Sequence, residues 1–422
     1  MIEAIGNAFK VPDLKRRIFF TLAMITVYRL GAHIPVPGID VKALKSLFEQ
    51  TPILGFLDLF AGGALSNFAV FALGIMPYIT ASIILQLLTI VIPTLAQWAK
   101  EGEIGQRKIT QWTRYLTLVL ALIQSIGLTV FFERQLMELG ATAGFGIGLK
   151  ALIVLTLVAG TALIMWLGEL ITQRGIGNGM SLLIFASIIA RFPQATLQTG
   201  QVGGPVTVIA LIFILLAIVV SIIFVEKAQR RIPVQYAKRV VGRKVYGGTS
   251  TYIPLKVNSA GVIPIIFASS VLLFPVTIFQ FFPSTFTRIL SDWLDPSGTL
   301  YLTLYGLLVI FFTYFYTAII FNPIDISDNM KKYGGFIPGV RPGKPTASYL
   351  DRVLTRITLP GSFFLALIAV IPAILGRVLN IPFFQGGNFG GTSLLIMVGV
   401  ALETMRQIES QLLMRHYEGF LK

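Results

Sequence analysis

The stretch VTVIALIFILLAIVVSIIFVE at residues 206–226 is followed directly by KAQRRIPVQYAKRVVGRKVYGGTSTYIPLK at residues 227–256. The first stretch is as long as a membrane-spanning helix, which needs about 20 consecutive apolar residues. The second contains many Lys and Arg residues and no Asp or Glu. Because a few positive charges are enough to orient a span, this excess predicts that a large, acidic partner docks on one face of a membrane protein.

A second basic stretch, at residues 322–356, also lies between long apolar runs. Its Lys and Arg residues outnumber its three acids, Asp325, Asp328 and Asp351. We expect both basic stretches to be poor in helix and to provide two large loops, at residues 227–258 and 322–355, on the same face of the protein.

Most of the chain is apolar, and few of its residues are charged. It has 422 residues, of which 55% are hydrophobic and 13% are charged, and its mean hydropathy is +0.79. Soluble domains average about 25% charged residues. The absence of cysteine excludes disulfides, thiol catalysis and thiolate metal sites. The first apolar run, at residues 18–33, lacks a small-residue cleavage site and is interpreted as a span, not as a signal peptide.

Apolar runs separated by charged residues or by Pro and Gly clusters predict ten transmembrane segments. They lie at residues 18–33, 70–92, 113–132, 149–171, 179–192, 206–226, 259–282, 300–321, 356–376 and 391–406. A further apolar stretch, at residues 52–68, contains Asp58, and a carboxylate facing lipid costs about 3 kcal/mol. We therefore expect this stretch to be re-entrant, or to be a short helix shielded by protein.

The distribution of charge favours ten spans over eleven. With ten, both termini share a face with the loops 93–112, 172–178, 227–258 and 322–355, and most of the 34 Lys and Arg residues lie on that face. An eleventh span would reverse the orientation of every span after residue 68, and the Lys and Arg residues would then be spread over both faces. The positive-inside rule makes the loop face cytoplasmic.

The ten spans divide into two sets of five with similar spacing along the chain. The predicted halves are residues 1–192, with spans 1–5, and residues 193–422, with spans 6–10. Because five is odd, related halves would have opposite orientations in the membrane, and inverted repeats place a transport pathway at their interface. Chance similarity of loop lengths explains the spacing equally well.

The chain lacks the residue patterns of catalytic sites. His33 and His416 are its only histidines, and it contains no HExxH, nucleophile elbow or Walker A motif. We expect it not to be an enzyme and to hold no metal or cofactor. Ion-coupled transporters usually carry intramembrane carboxylates, but Glu169 lies near Arg174 and is interpreted as half of an interfacial ion pair. Arg29, near the outer end of the first span, is expected to snorkel to the interface.

Five motifs along the chain point to a family. They are GIMPYITASIILQ at 74–86, WLGELITQRGIGNGMS at 166–181, PLKVNSAGVIPIIFASSVLLFP at 254–275, FIPGVRPG at 336–343 and GGTSLLI at 390–396. Together they resemble the bacterial SecY family, the central subunits of the protein-conducting channel, and the resemblance is weakest in the loops 133–149 and 283–299. It implies an all-α integral membrane protein, in which ten transmembrane helices form two inverted five-helix halves, a clamshell around an hourglass pore that opens laterally to lipid.

The resemblance implies a pore ring of branched aliphatic side chains. Its members are Ile75, Ile79, Ile184, Ile188, Ile266 and Ile396. Two pairs among them are four residues apart, so each pair faces one way on its helix. Such a ring suits a pore that dewets when it is closed, and it offers no hydrogen-bond pattern to the passing chain. Without the resemblance, these isoleucines are explained as well by lipid contact or packing.

The stretch at 52–68 then corresponds to the family's plug, a short helix that seals the outer funnel of the pore at about residues 57–67. The plug residues are Leu57, Asp58, Phe60, Gly62, Gly63, Ala64, Leu65 and Asn67. The small residues among them permit close packing and easy displacement, and we expect the polar ones to line a water-filled cavity.

A lateral gate is implied between spans 2 and 3 on one side and spans 7 and 8 on the other. Thr80, Gln86 and Asn258 are predicted to supply polar contacts along this seam, and Phe274 matches a family position that affects signal-sequence selection. Interhelical hydrogen bonds of about 1 kcal/mol each explain the polar residues equally well.

The basic loops match family positions that bind cytoplasmic partners, namely Arg243, Lys244, Arg341 and Lys344. Ribosomal RNA phosphates and acidic protein surfaces both suit guanidinium and ammonium groups. A Pro-Gly pair on each side of Arg341 predicts that this residue stands at a rigid tip.

Taken as a whole, the sequence predicts a passive channel for polypeptides. The resemblance implies passage of unfolded secretory polypeptides across a bacterial plasma membrane, with lateral release of transmembrane segments into membrane lipid. It also implies signal peptides and nascent polypeptides as substrates, SecE and SecG as companion subunits, and the SecA ATPase or the translating ribosome as the driving partner. Two alternatives stay open: a secondary transporter built on inverted repeats, and a membrane-surface scaffold that recruits ribosomes without a pore.

Overall fold

Long helices dominate the fold, because a backbone in lipid must satisfy its own hydrogen bonds. The computed structural model describes residues 9, 11–37, 39, 48, 52–138, 144–236, 239–241, 244–246, 250–281, 298–384 and 389–418. The α-helices within them are α1 Pro12–Gly31, α2 Pro52–Ala61, α3 Met76–Val91, α4 Pro93–Lys100, α5 Glu103–Glu138, α6 Ile147–Arg174, α7 Gly179–Lys227, α8 Ile263–Phe281, α9 Thr299–Ile320, α10 Pro323–Lys332, α11 Lys344–Val378 and α12 Gly391–Glu418. The strands are β1 Gln229–Tyr236, β2 Arg239–Val241, β3 Lys244–Tyr246, β4 Ser250–Lys256 and β5 Gly335–Phe336, and a short 3₁₀ helix covers Pro382–Phe384.

Every predicted span overlaps one of these helices, which confirms an all-α, multi-span membrane protein. Among the described residues, five helices are long and apolar enough to cross a membrane singly, and the pair α3–α4, bent by 101°, is a sixth candidate. The predicted second span, 70–92, begins late: its helix starts at Met76 because residues 62–75 form turns. Proline occupies the first turn of α1, α3, α4, α10 and α11, where its missing N–H has no helical partner to lose.

The fifth and sixth predicted spans form one continuous element, α7. Its only non-helical residue is Gly204, with φ 72° and ψ −178°, and Pro205 follows it. A positive φ suits glycine, and proline cannot donate to the preceding turn, so the two residues kink the helix between the spans. The predicted boundary between halves, at 192/193, lies within the helical part before this kink, and the division into halves stays a prediction.

The basic stretches fold into a small separate body, which we call the platform: strands β1, β4 and β5, helix α10 and the first part of α11. Strand β1 pairs antiparallel with β4 along its length, from Gln229 opposite Lys256 to Gln235 opposite Ser250. Its other edge pairs with β5, where Gln235 lies opposite Phe336. The short strands β2 and β3 pair with each other.

The platform has its own apolar core. Side chains alternate along β1, so that Ile232 and Val234 face inward while their neighbours are exposed. The buried members of this core are Ile232, Val234, Leu255, Met330, Ile337, Leu350 and Leu354. Both basic stretches contribute to it. The expectation of little helix is confirmed for residues 227–256 but is wrong for 322–356, where α10 and α11 supply the amphipathic faces that cover the sheet.

We expect Leu350→Ala to loosen the platform without disturbing the spans. Leu350 is fully buried, and truncating a buried leucine costs about 3 kcal/mol. Trypsin should then cleave the basic stretch 227–256 of the detergent-solubilised protein faster than in the unaltered protein. Leu359→Ala is the control, since Leu359 lies on the same helix but is 52% exposed. Equal cleavage rates for the two variants would contradict this account of the platform.

Candidate functional site

The predicted pore ring lies in the main apolar cluster of the molecule. Five of its isoleucines are buried members of this cluster, and Ile266 packs against it partly buried. Four helices contribute these residues to the cluster, with Ile79 on α3, Ile184 and Ile188 on α7, Ile266 on α8, and Ile396 on α12. Ile75 directly precedes α3, and its carbonyl oxygen accepts the N–H of Ile79 at 3.1 Å. The structure thus brings all six residues into one cluster, and their role in a pore stays a prediction.

The predicted plug consists of the last turns of α2 and the irregular backbone that follows. Asp58 on α2 is fully buried. Its Oδ1 accepts the N–H groups of Leu65 at 2.9 Å and Ser66 at 3.0 Å. Gly62 and Gly63, with φ of 66° and 88°, allow the chain to reverse between the carboxylate and these amides. The carboxylate therefore replaces the backbone partners that a continued helix would have supplied.

The second oxygen of Asp58 points out of the plug. Its Oδ2 lies 2.9 Å from Nη2 of Arg191 on α7. A second arginine, Arg29 on α1, donates from Nη1 to the carbonyl oxygen of Gly62 at 2.7 Å. Two expectations are wrong here. Arg29 does not snorkel to the interface, because it donates to the carbonyl oxygen of Gly62 in the plug. Asp58 does not line a water-filled cavity, because it is fully buried and faces Arg191.

The turns after the plug are also held from several sides. Tyr28 on α1 hydrogen-bonds Ser187 on α7 at 2.6 Å, and its ring stacks on Phe71 with a centroid distance of 5.8 Å. The N–H of Val70 donates to Ile34 O at 3.0 Å. This non-helical backbone is therefore shielded by protein, as such backbone must be at membrane depth.

Only some of the residues predicted for the lateral gate lie at the seam between its two sides. Helix α8 packs against α3, α5 and α9, which brings spans 2, 3, 7 and 8 together. Gln86 on α3 lies close to the hydroxyl of Tyr316 on α9, across the seam, and its Oε1 has no hydrogen-bond partner in the described structure. Thr80 bonds only to Met76 O of its own helix, at 3.0 Å.

Of the other two gate residues, Asn258 does not bridge the seam, and Phe274 is described only in its backbone. Nδ2 of Asn258 donates to Glu226 Oε1 at 2.6 Å and to Gly261 O at 3.0 Å, so it joins the end of α7 to the start of the seventh span. Phe274 lies on α8, but its side chain is outside the described residues.

Glu169 has a different partner from the one expected. Its carboxylate forms two bonds to Arg114 on α5, with Nε–Oε1 at 2.7 Å and Nη2–Oε2 at 2.6 Å, and the pair with Arg174 is not formed. This two-bond geometry is among the strongest that arginine makes with a carboxylate. Sequence spacing favoured the nearer arginine, whereas helix packing brings the distant one into place.

Arg341 lies between β5 and α11, next to the platform, at an exposed position. Its carbonyl oxygen accepts Thr346 Oγ1 at 2.8 Å, and Ser327 Oγ of α10 donates to Gly343 O at 2.7 Å. These bonds fix the backbone of the tip while leaving the guanidinium free to meet a partner. Lys344, exposed, begins α11 nearby. Arg243 and the side chain of Lys244 lie outside the described residues.

Sequence reasoning did not single out Arg191, Tyr28 or Ser187. One signal was present for the first of these. Arg191 is a lone cation at the end of the predicted fifth span, and Asp58 is a lone acid in an apolar stretch, so each needs an opposite charge if it is buried. Tyr28 and Ser187 carry no such signal, because both residue types occur in spans without a special role.

We expect Gly160→Ala to destabilise the protein. A Cβ at Gly160, on α6, would collide with the carbonyl of Val70 in the turns after the plug, and overpacking costs about 1–3 kcal/mol. The thermal unfolding temperature in detergent should fall. Gly148→Ala is the matched control: Gly148 lies on the same helix with open space around its missing Cβ, so the temperature should stay level or rise. A drop of equal size in both variants would count against this close approach.

Comparisons with known proteins agree with the motifs. The SecY family model matches residues 69–405. A curated relative, the protein translocase subunit SecY of Streptomyces coelicolor, is 53% identical over 441 residues and the match covers 100% of both chains.

Two solved structures share the fold. One, described as "The plug domain of the SecY protein stablizes the closed state of the translocation channel and maintains a membrane seal", has a TM-score of 0.61 at 18% identity, covering 94% of this chain and 92% of the other. The other, "Sec61 in the Canine ribosome-channel complex from the endoplasmic reticulum", has a TM-score of 0.58 at 16% identity with the same coverage. The chain therefore belongs to the SecY family.

Proposed function

We propose that this chain is the pore-forming subunit of a protein translocase, which passes unfolded secretory polypeptides across the plasma membrane and releases transmembrane segments sideways into lipid. The observation that carries the proposal is the single buried cluster to which four helices contribute the six isoleucines. The Streptomyces relative is named a protein translocase subunit, which agrees with this proposal. The chain is not an enzyme, so its partners must supply the energy.

The isoleucine cluster suits a seal that opens for any sequence. Its side chains have no polar atoms, so they neither stabilise water in a closed constriction nor hold the backbone of a passing chain. Branched aliphatic groups on four separate helices can move apart as the helices separate. The plug is bound to α1 and α7 by two arginines, and its Phe60, Ala64 and Leu65 belong to the same cluster as the isoleucines.

The seam between α3 and α9 suits a gate that opens at low cost. Gln86 lies close to Tyr316 across the seam, and Oε1 of Gln86 is buried without a partner in the described structure, so the named polar residues add little to hold the seam closed. Phe267 and Tyr316, with ring centroids 5.6 Å apart, pack α8 against α9 on one side of the seam. A signal peptide can enter between this side and α3.

The platform provides the docking face for partners. Arg230 and Arg231 are exposed on β1, and Arg231 lies over the ring of Tyr252 with 4.8 Å to its centroid. The pairing of β1 with β5 joins this basic sheet to the loop that carries Arg341, so one partner can contact both. The canine neighbour was solved with a ribosome, whose RNA phosphates suit these groups. We assign SecA, SecE and SecG as the other partners by family membership, and we place both termini and the platform in the cytoplasm by the positive-inside rule.

The secondary-transporter alternative lacks a free coupling group. Among the described residues, Asp58 pairs with Arg191, Glu169 with Arg114 and Glu133 with Lys150, while Glu226, at the end of α7, accepts a hydrogen bond from Nδ2 of Asn258. A carboxylate that binds and releases a coupling ion must exchange its partner for that ion, and a two-bond arginine contact opposes this.

Site-specific crosslinking tests the pore. A photoreactive amino acid at position 79, 188 or 396 should crosslink to a secretory polypeptide stalled in transit, because these three isoleucines lie in the central cluster. The same probe at Leu216 is the control, since Leu216 is on α7 like Ile188 but is 61% exposed, and it should crosslink to lipid. Absence of polypeptide crosslinks at all three isoleucines would overturn the assignment.

A charge reversal tests the docking face. We expect Arg341→Glu to leave membrane insertion of the chain intact and to reduce motor-dependent export by roughly tenfold, which corresponds to about 1.4 kcal/mol, because an acidic partner then meets a like charge at a rigid tip. Export into inverted membrane vesicles is the measurement. Lys331→Glu, an exposed reversal on α10 of the same platform, is the control. Normal export by the Arg341 variant would exclude this role.

A further inference from the structure

A groove of about 800 Å³ lies where the start of α1, the end of α6 and the end of α12 meet. Three arginines line it, namely Arg16 and Arg17 on α1 and Arg174 at the last position of α6. One acid, Asp13, lines it as well. The groove therefore carries an excess of positive charge, and its lining residues belong neither to the main apolar cluster nor to the core of the platform.

The three arginines of the groove are available to an anion. All three are exposed, and none forms an ion pair with a described carboxylate. Arg114 and Arg191, by contrast, are held by carboxylates on neighbouring elements. A planar guanidinium matches the geometry of a phosphate group, to which it can donate two parallel hydrogen bonds. The charged part of the groove therefore suits a phosphate.

Apolar side chains line the groove beside the arginines. Phe20 lies one turn after Arg16 on α1, and Met414 lies near the end of α12. Next to them, Phe19 and Leu413 expose large apolar side chains, as residues that face lipid do. A phosphate bound by arginine, beside an apolar wall at the edge of a bilayer, is the arrangement of a phospholipid headgroup and its acyl chains. A polyanion dissolved in water would leave the apolar wall without a partner.

The elements around the groove are fixed to one another. A small separate apolar cluster joins them, with the buried members Leu14, Ile176 and Ile408. The N–H of Ile176, in the turn after α6, donates to Thr21 Oγ1 at 3.1 Å, and that hydroxyl donates to Arg17 O at 3.0 Å. These bonds hold the backbone of Arg17 against the turn that follows Arg174. A ligand of the groove therefore does not have to order its backbone, which favours binding.

We propose that this groove binds an anionic phospholipid, whose phosphate contacts Arg16, Arg17 and Arg174 and whose acyl chains run along Phe20 and Met414. The bound lipid links the start of the chain, on α1, to its end, on α12, and so stabilises the folded protein. The proposal goes beyond the proposed function and does not depend on it, because it requires only that these helices cross a bilayer.

Photocrosslinking to lipid tests the site. The full chain with its companion subunits is placed in vesicles that contain equal amounts of phosphatidylglycerol and phosphatidylcholine with the same acyl chains. A photoreactive amino acid at position 20 should crosslink to phosphatidylglycerol roughly tenfold more often than to phosphatidylcholine, because nearby arginines favour the anionic lipid. Position 19 is the matched control. Phe19 is the next residue on the same helix, but it is exposed and does not line the groove, so it should crosslink to both lipids equally often.

Removal of charge connects this preference to the arginines. Arg174→Gln should lower the lipid ratio at position 20, and the double variant Arg16→Gln with Arg17→Gln should lower it to the ratio at position 19. These positions are exposed, where substitutions usually change stability little, so the variants should fold. The double variant Arg230→Gln with Arg231→Gln is the matched control, because it removes another adjacent, exposed arginine pair, on the platform. It should keep the ratio of the unaltered chain.

A thermal measurement separates a lipid from a free anion, which offers the same phosphate chemistry. In detergent, added phosphatidylglycerol should raise the unfolding temperature of the unaltered chain, since a ligand that binds only the folded state stabilises it. Inorganic phosphate at the same concentration should not raise it, because it makes no contact with the apolar wall.

Four results would overturn the proposal. The first is the same lipid ratio at positions 20 and 19, and the second is a ratio at position 20 that survives the arginine substitutions. The third is equal stabilisation by inorganic phosphate, which would indicate a site for a free anion. The fourth is crosslinking of position 20 to a companion subunit in place of lipid, which would make the groove a protein interface. None of these measurements involves export, so their failure is distinct from a failure of the proposed function.

Discussion

The structure depends on how a non-helical run of backbone is satisfied inside an apolar protein. Residues 62–75 form turns between two helices at the centre of the main cluster, and each unsatisfied peptide group there would cost several kcal/mol. The carboxylate of Asp58 accepts hydrogen bonds from two of these amides, and Arg29 donates one to a carbonyl oxygen. The bridge between Pro35 and Ala69 fixes the middle of the run. Asp58 and Arg29, polar residues within apolar segments, therefore supply the hydrogen bonds that a non-helical backbone needs inside the protein.

The spans and the platform are stabilised in different ways. Within the spans, helices approach closely through small residues, since lipid provides little hydrophobic drive for helices to associate. A Cβ at Gly179 would collide with the carbonyl of Gly168, and one at Gly391 with that of Ile368. The platform instead folds by burying an alternating strand against two amphipathic helices, as a soluble domain does. Because the platform has its own core, substitutions on its surface leave the packing of the spans undisturbed.

Much of the architecture could be predicted from the sequence because its signals are one-dimensional. Apolar length locates spans, Lys and Arg asymmetry orients them, and motifs such as RGIGNGMS at 174–181 point to the family. Errors arose where a contact joins residues far apart in the chain. Glu169 binds Arg114, 55 positions away, instead of the adjacent Arg174. The helices of 322–356 were missed because their apolar faces are short and their Pro and Gly residues indicated loops. Arg191 was passed over because only packing shows that the acid opposite it is Asp58.

An ion pair has a property that an apolar contact lacks at a seal between water and a passing polypeptide. The attraction between unit charges at about 4 Å falls from several kcal/mol in a protein-like medium to about 1 kcal/mol in water, whereas the cost of separating apolar groups stays once water has entered. While the central cluster is dry, Asp58 and Arg191 hold the plug firmly. As soon as the cluster opens and water reaches them, the same pair becomes a weak surface contact. If the chain works as proposed, closure and opening are cooperative: the isoleucines keep the pair dry, the pair holds residues 57–67 against them, and loss of either weakens the other. A seal made only of isoleucines would loosen gradually, whereas this arrangement favours two states.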